Sequence, residues 1–321
     1  MEYQRQTRMW GAAAIVLAVV IRLLSAGFFQ PLLRLLQQQE LIGFILYMET
    51  GWVVRFDMPL PEETTPGPTD PPEEETPPKQ ESLIFTEADL VPVQYHCSHR
   101  PALFELLNRP LSWAPAQEGP TVLIVHTHAT ETYTGEDISY SGTYRTLENH
   151  KNMVSIGREV ARVLNAGGVG VVHDETLHDY PNYNGAYESS REAITAYLKK
   201  YPSIRMVLDI HRDASSDTQG SLLTSATVAG QNSAQLMMVV GTRSERWEEN
   251  LSLALKLSAL LERTDPGICR PLDLRSERFN VDLSVGSLLV EVGATGNTHE
   301  EAMIAANALA QAVTELLMDN G

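Results

Sequence analysis

The sequence has little cysteine and little positive charge. Its 321 residues include two cysteines, Cys97 and Cys269, too few for a disulfide-dense scaffold or a thiolate metal cage. One disulfide or two free thiols are the readings that remain. Lysine and arginine number 24 against 41 aspartates and glutamates, a net charge of -17. With no basic stripe to release phosphate counterions, the chain does not read as a nucleic-acid binder. It contains no G-x-S-x-G elbow and no glycine-rich phosphate loop, which removes support for a serine hydrolase or a nucleotide enzyme. At 43% hydrophobic and 20% charged residues, it is neither collagen-like, nor wholly disordered, nor a polytopic membrane protein.

What is present divides into unlike pieces. Residues 1–30 combine a short tip with an almost unbroken apolar run from Trp10 to Phe29, enough to span about 30 Å of hydrocarbon as a helix. Arg22 interrupts the run; it would cost about 2.5–3.5 kcal/mol at the bilayer centre and less if it snorkels to an interface. Arg5 and Arg8 precede the run, so the tip is expected in the cytoplasm and the rest of the chain outside it. No A-x-A site follows Gly11–Ile21, which favours an uncleaved single-pass anchor over a signal peptide. Residues 31–57 are apolar in patches and read as a membrane-proximal segment. Residues 58–82 are rich in proline and glutamate and are expected to form a disordered spacer. Residues 83–321 have the composition of a globular domain.

Within that domain, residues 84–119 read as irregular. Strand patterns follow at 121–125, 168–172, 204–210, 221–228, 235–241 and 288–292. They alternate with helical spacing at 152–165, 188–200, 245–263 and 298–318. Alternation of this kind predicts an α/β fold, a mostly parallel twisted sheet with helices on both faces. Thr298 and Glu301 are placed to form a capping box at the last helix.

In such sheets active groups gather at the carboxyl ends of strands, and three strand ends here carry chemistry. TVLIV runs into His126-Thr-His128-Ala-Thr-Glu131, IRMVL into Asp209-Ile-His211-Arg212-Asp213, and the late apolar strand ends near Glu291. Two histidines and a carboxylate with an open fourth position are the ligand set of a hydrolytic zinc. His128, Glu131 and His211 form that set; the spacing to Glu131 favours His128, with His126 as the alternative ligand. Glu291, a charge that an apolar strand end would not otherwise hold cheaply, is the candidate general base. Asp209 or Asp213 could orient a ligating histidine from behind, and Arg212 could clamp a substrate carboxylate or oxyanion. His150, His173 and His178 read as surface residues, and Asp179 and Glu188 as solvated ones.

HTHATETY, NMVSIGREVARVLNAGGVGVVHDETLHDYPNYNGAYESSREAI, VLDIHRDA and LVEVGATGNTHEEA, in this order, resemble the stage II sporulation protein P family from about Val122 to the last helix. The anchor, spacer and domain also follow that family's layout. The resemblance implies a zinc amidase fold of the phosphorylase/hydrolase-like type. It implies a zinc-dependent N-acetylmuramoyl-L-alanine amidase, anchored in the cell membrane with its catalytic domain outside the cytoplasm. Its substrate would be peptidoglycan, and its expected role is engulfment during sporulation, beside a lytic transglycosylase and other membrane proteins. By the matching blocks it implies zinc on His128, Glu131 and His211 and the base role on Glu291. The wider zinc amidases take a carboxylate ligand from the start of the first helix; this sequence departs there, with Lys151-Asn152 and Glu148 nearby. A zinc carboxypeptidase or endopeptidase, and a non-catalytic wall scaffold, are the alternative readings.

Overall fold

The computed structural model describes residues 83–135, 144–214 and 222–319, all within one compact unit. The anchor, the membrane-proximal segment, the spacer and residue 221 of one expected strand lie outside the described residues. Among the described residues, no helix is long and apolar enough to cross a membrane.

The strands are β1 (Val93–His96), β2 (Val122–Val125), β3 (Val171–His173), β4 (Met206–Asp213), β5 (Ala226–Val228), β6 (Gln231–Ser233), β7 (Leu236–Gly241), β8 (Leu272–Arg275) and β9 (Gly286–Ala294). The helices are α1 (Leu103–Asn108), α2 (Met153–Ala166), α3 (Ala186–Lys200), α4 (Trp247–Thr264) and α5 (His299–Asp319). Seven strands form one sheet in the order β1-β8-β7-β9-β4-β2-β3. It is a mixed sheet: β1, β8 and β7 run parallel to one another, as do β9, β4, β2 and β3, and the two blocks meet antiparallel at β7 and β9. β5 and β6 form a separate hairpin, closed by Ala229 and Gly230 at φ +47° and +80°, the conformation of a two-residue primed turn.

The apolar runs become central strands because both of their faces are covered. Val122, Ile124, Met206, Leu208, Ile210, Leu288 and Val290 point into the main core with α2, α4 and α5. The alternate residues Leu123, Val125 and Val207 meet Ile194 of α3. Helices therefore do lie on both faces, but unequally. Among the described residues, the second face beyond α3 carries only a small cluster, Met237, Val239 and Leu289 with Phe279, and this thin cover leaves room for a cleft.

The region expected to be irregular, 84–119, supplies the edge strand β1 and the short helix α1. Asn152 caps α2, its side chain accepting from Val154 N at 3.0 Å. The Thr298–Glu301 capping box forms in both directions, at 3.0 and 3.2 Å. Cys97 and Cys269 are both free thiols.

Candidate functional site

The odd-numbered residues of β4 and β9 face the thinly covered side of the sheet. His211 and Glu291 are register partners there, so their side chains rise next to each other. β2 delivers the turn His126–Glu131 beside them, closed by Glu131 N donating to His128 O at 3.1 Å. His128, Glu131, His211 and Glu291 thus line one cleft of about 360 Å³. The rings of His128 and His211 stand edge to face, 5.4 Å between centroids, and His211 Nδ1 lies 3.8 Å from Glu131 Oε2.

His211 and Glu131 are held from behind. Asp209 Oδ1 sits 2.9 Å from His211 Nε2 and is itself fixed by Thr127, whose backbone N–H and hydroxyl donate to it at 2.8 and 2.6 Å. Glu131 Oε2 accepts from the backbone N–H of Arg212 at 3.3 Å, and its Oε1 faces the guanidinium groups of Arg145 and Arg212. Arg212 is buried, and it donates Nε to Thr132 O and Nη2 to Tyr144 O at 2.9 and 3.0 Å. It therefore braces the loop that carries Glu131. Asp213 pairs with Arg270 at 2.7 Å, away from the histidines' ring nitrogens. Tyr183 stacks on His128 at 4.7 Å and 18°.

The site's electrostatics follow from enclosure. Burial pushes the Glu291 carboxyl up to about 8, against the pull of His211. Burial alone would lower His211, but Asp209, Glu291 and Glu131 outweigh it and raise the imidazole to about 9. Burial would raise Glu131, yet Arg212 first, then His211, His128 and Arg145 hold it below the usual carboxylate range. Burial also lowers His128. Glu291 thus needs added positive charge nearby to ionise at neutral pH.

Among the described residues, no group of three or more His, Cys, Asp or Glu side chains is placed to hold a metal ion. His128, Glu131 and His211 are nevertheless of the donor types that zinc takes. His128 Nδ1 and Glu291 Oε2 are buried without a hydrogen bond, a state proteins rarely leave uncompensated, and Asp209 on His211 Nε2 leaves that ring's Nδ1 turned to Glu131. The 3.8 Å between His211 Nδ1 and Glu131 Oε2 is close to the ~3.4 Å separating two ligands of a tetrahedral zinc with bonds of ~2.0–2.1 Å. His126 is elsewhere: fully buried, its Nδ1 meets Ile210 O at 2.9 Å and its Nε2 meets His173 Nε2 at 2.8 Å. Glu148 points outward to His150 and Lys151.

Three surface assignments are corrected. His173 belongs to β3 and is enclosed against His126. His178 is buried between Asp174 Oδ2 at 3.0 Å and Ser189 Oγ at 2.8 Å. Asp179 has no exposure; it accepts from Thr130 N–H and hydroxyl and from Arg145 Nη1, the last at 2.6 Å, and lies 4.0 Å from His128 Nδ1. The run HDYPNYNGAY was the available signal, since it concentrates Asp179, Tyr183 and Tyr187 in one stretch. Arg145 carried no local signal. His150 and Glu188 are exposed.

Fold and cleft together define a mixed α/β domain with a buried histidine–carboxylate site on the less covered face of its sheet. The chain belongs to the stage II sporulation protein P family, whose model matches residues 62–314. Stage II sporulation protein P of Bacillus subtilis (strain 168) is 29% identical over 209 residues, 62% of this chain and 51% of that one. The chain thus spans about half the length of this curated relative. Among solved structures, the CwlD amidase from Clostridioides difficile in complex with the GerS lipoprotein aligns at 12% identity and a TM-score of 0.40, covering 62% of this chain and 98% of that one. The N-acetylmuramoyl-L-alanine amidase AmiC2 of Nostoc punctiforme aligns at 14% identity and 0.38, covering 63% and 97%.

Proposed function

We propose that the protein is a zinc-dependent N-acetylmuramoyl-L-alanine amidase that removes stem peptides from peptidoglycan during sporulation, held at the cell membrane with its catalytic domain outside. The observation that carries this reading is convergence. Side chains from the ends of β2, β4 and β9 meet in one cleft with His128 Nδ1 and Glu291 Oε2 unspent and His211 Nδ1 turned to Glu131. Family membership gives the cell-wall and sporulation context. The residues Trp10–Phe29 would supply the anchor.

His128, Glu131 and His211 would hold the metal. Zinc, when bound, would acidify the attacking water and polarise the scissile carbonyl. Glu291 lies next to His211 on the neighbouring strand, where its carboxylate can take a proton from water and pass it to the leaving amide nitrogen. Asp209 fixes the His211 ring, and Arg212 and Arg145 fix Glu131. Loss of an N–H partner behind a ligating group typically weakens metal binding 10- to 100-fold, so these supports belong to the chemistry.

The test uses the purified full chain in detergent with isolated cell walls. Wild type should bind about one zinc and release intact stem peptides, identified by mass. Glu291→Gln should keep its zinc and lose at least ~10²-fold in rate, while His128→Ala and His211→Ala should lose the metal. Release of single amino acids by wild type would replace the amidase reading with a carboxypeptidase one. Wild-type rates from zinc-loaded Glu291→Gln would remove Glu291 from the base role.

A further inference from the structure

The cleft does not stop at Glu291. It continues across the open sheet face over Met237, Val239 and Leu289 and reaches Arg275 on β8. Register fixes the length. Glu291 is opposite Met237 on β7, and Arg275 is opposite Gly241, four residues further along the same strand. Four residues at about 3.3 Å and two strand spacings at about 4.8 Å put the Cα atoms of Glu291 and Arg275 roughly 16 Å apart. After allowing for side-chain reach, that gap spans about three residues of extended peptide.

The far end is built around a fixed cation. Asp273 is buried, and its two oxygens are divided: Oδ2 takes Arg275 Nε at 2.7 Å and Oδ1 takes His96 Nδ1 at 2.6 Å. The guanidinium is therefore held by its inner edge. Its side chain is 44% exposed, and neither Nη meets a hydrogen-bond acceptor among the described residues. Two arginines line the cleft among those residues. Arg212 is committed to backbone carbonyls and Glu131, which leaves Arg275 as the one with donors to offer. The floor between the ends is apolar, a surface suited to peptide side chains rather than to the hydroxyl-covered ring of a sugar.

We propose that Arg275 anchors a carboxylate of the substrate's peptide portion, so that the peptide runs from Glu291 across β9, β7 and β8, with Asp273 as the residue that positions the anchor. This rests on the amidase reading, in which the peptide beyond the scissile bond is acidic. A guanidinium with two free Nη groups matches the two oxygens of a carboxylate. A carboxamide of the same shape offers one acceptor and no charge. Arg275 therefore selects among peptides by charge, at a point remote from the bond that is cut.

The experiment compares two soluble muropeptides that differ only in bearing a free carboxylate or a carboxamide on the stem. The full chain is assayed as wild type, Arg275→Gln, Arg275→Lys and Asp273→Asn. Wild type should prefer the carboxylate by about tenfold in kcat/KM, carried by KM. The preference should fall to about one in Arg275→Gln and be partly kept in Arg275→Lys. Asp273→Asn, which frees the guanidinium, should reduce it. Direct binding of both muropeptides to Glu291→Gln, with and without Arg275→Gln, separates this inference from the amidase reading, because it needs no turnover. Product masses from wild type report the bond cut. A carboxylate preference that survives Arg275→Gln, or an Arg275→Gln effect that appears in kcat alone, overturns the proposal.

Discussion

Asp179 shows what one enclosed carboxylate can organise. It joins the turn after β2, through Thr130, to Arg145 in the next loop, and it does so with no solvent contact. Removing one member of such a pair leaves the other charged and unsatisfied, which costs about 3–5 kcal/mol when both are buried. Arg145 keeps some exposure, so Asp179→Ala should destabilise the chain by about 2–3 kcal/mol in urea unfolding and weaken zinc retention through the displaced turn. A variant that melts like wild type would mean the turn is held by other contacts. His128, Glu131, His211 and Glu291 were legible in the sequence because each lies in or just after an apolar strand run, whereas Tyr187, Arg275 and Phe279, which line the same cleft, were not. Asp179 was not, because its partners lie 49 and 34 residues away and its own neighbourhood is polar. His126 meets Ile210 and His173 while His128 lines the cleft, a difference set by the chain's path after β2, which period-two reasoning cannot follow beyond the strand's end.

Helix α2 carries a glycine where a helix would ordinarily gain from alanine. Gly157 faces the paired rings of His126 and His173, and a Cβ there would collide with Nε2 of both. Helix propensity favours Gly→Ala by about 1 kcal/mol, whereas forcing a methyl against two enclosed rings costs typically 1–3 kcal/mol and breaks their 2.8 Å hydrogen bond. The second effect wins. Gly157→Ala should lower stability by about 1–2 kcal/mol by chemical denaturation, and a gain would show that the rings can shift. Long elements with a clear period, α2, α4, α5, β4 and β9, were readable from the chain. β1 and β8 were not. Each has four residues, VQYH and LDLR, with polar side chains at alternate positions, and their strand identity comes from pairing distant in sequence, β1 with β8 across 179 residues and β8 with β7.

At the scale of the whole molecule, the sequence pattern led to a mostly parallel sheet with helices on both faces, and the structure keeps that plan with a reversal at its centre. The reversal could not be read locally, since a six-residue apolar strand such as β7 looks the same in either direction. The proposed topology predicts that protease added to intact protoplasts releases a fragment beginning in residues 58–82. A domain fully protected until lysis would place it on the other side of the membrane. The ends of the sheet carry a further consequence. β1 and β3 have four and three residues, and β1 bears Gln94 and His96 on exposed positions. Edges so short offer few backbone groups for another chain to pair with. Copies of this domain crowded together should therefore resist edge-to-edge aggregation and remain dispersed at high local concentration.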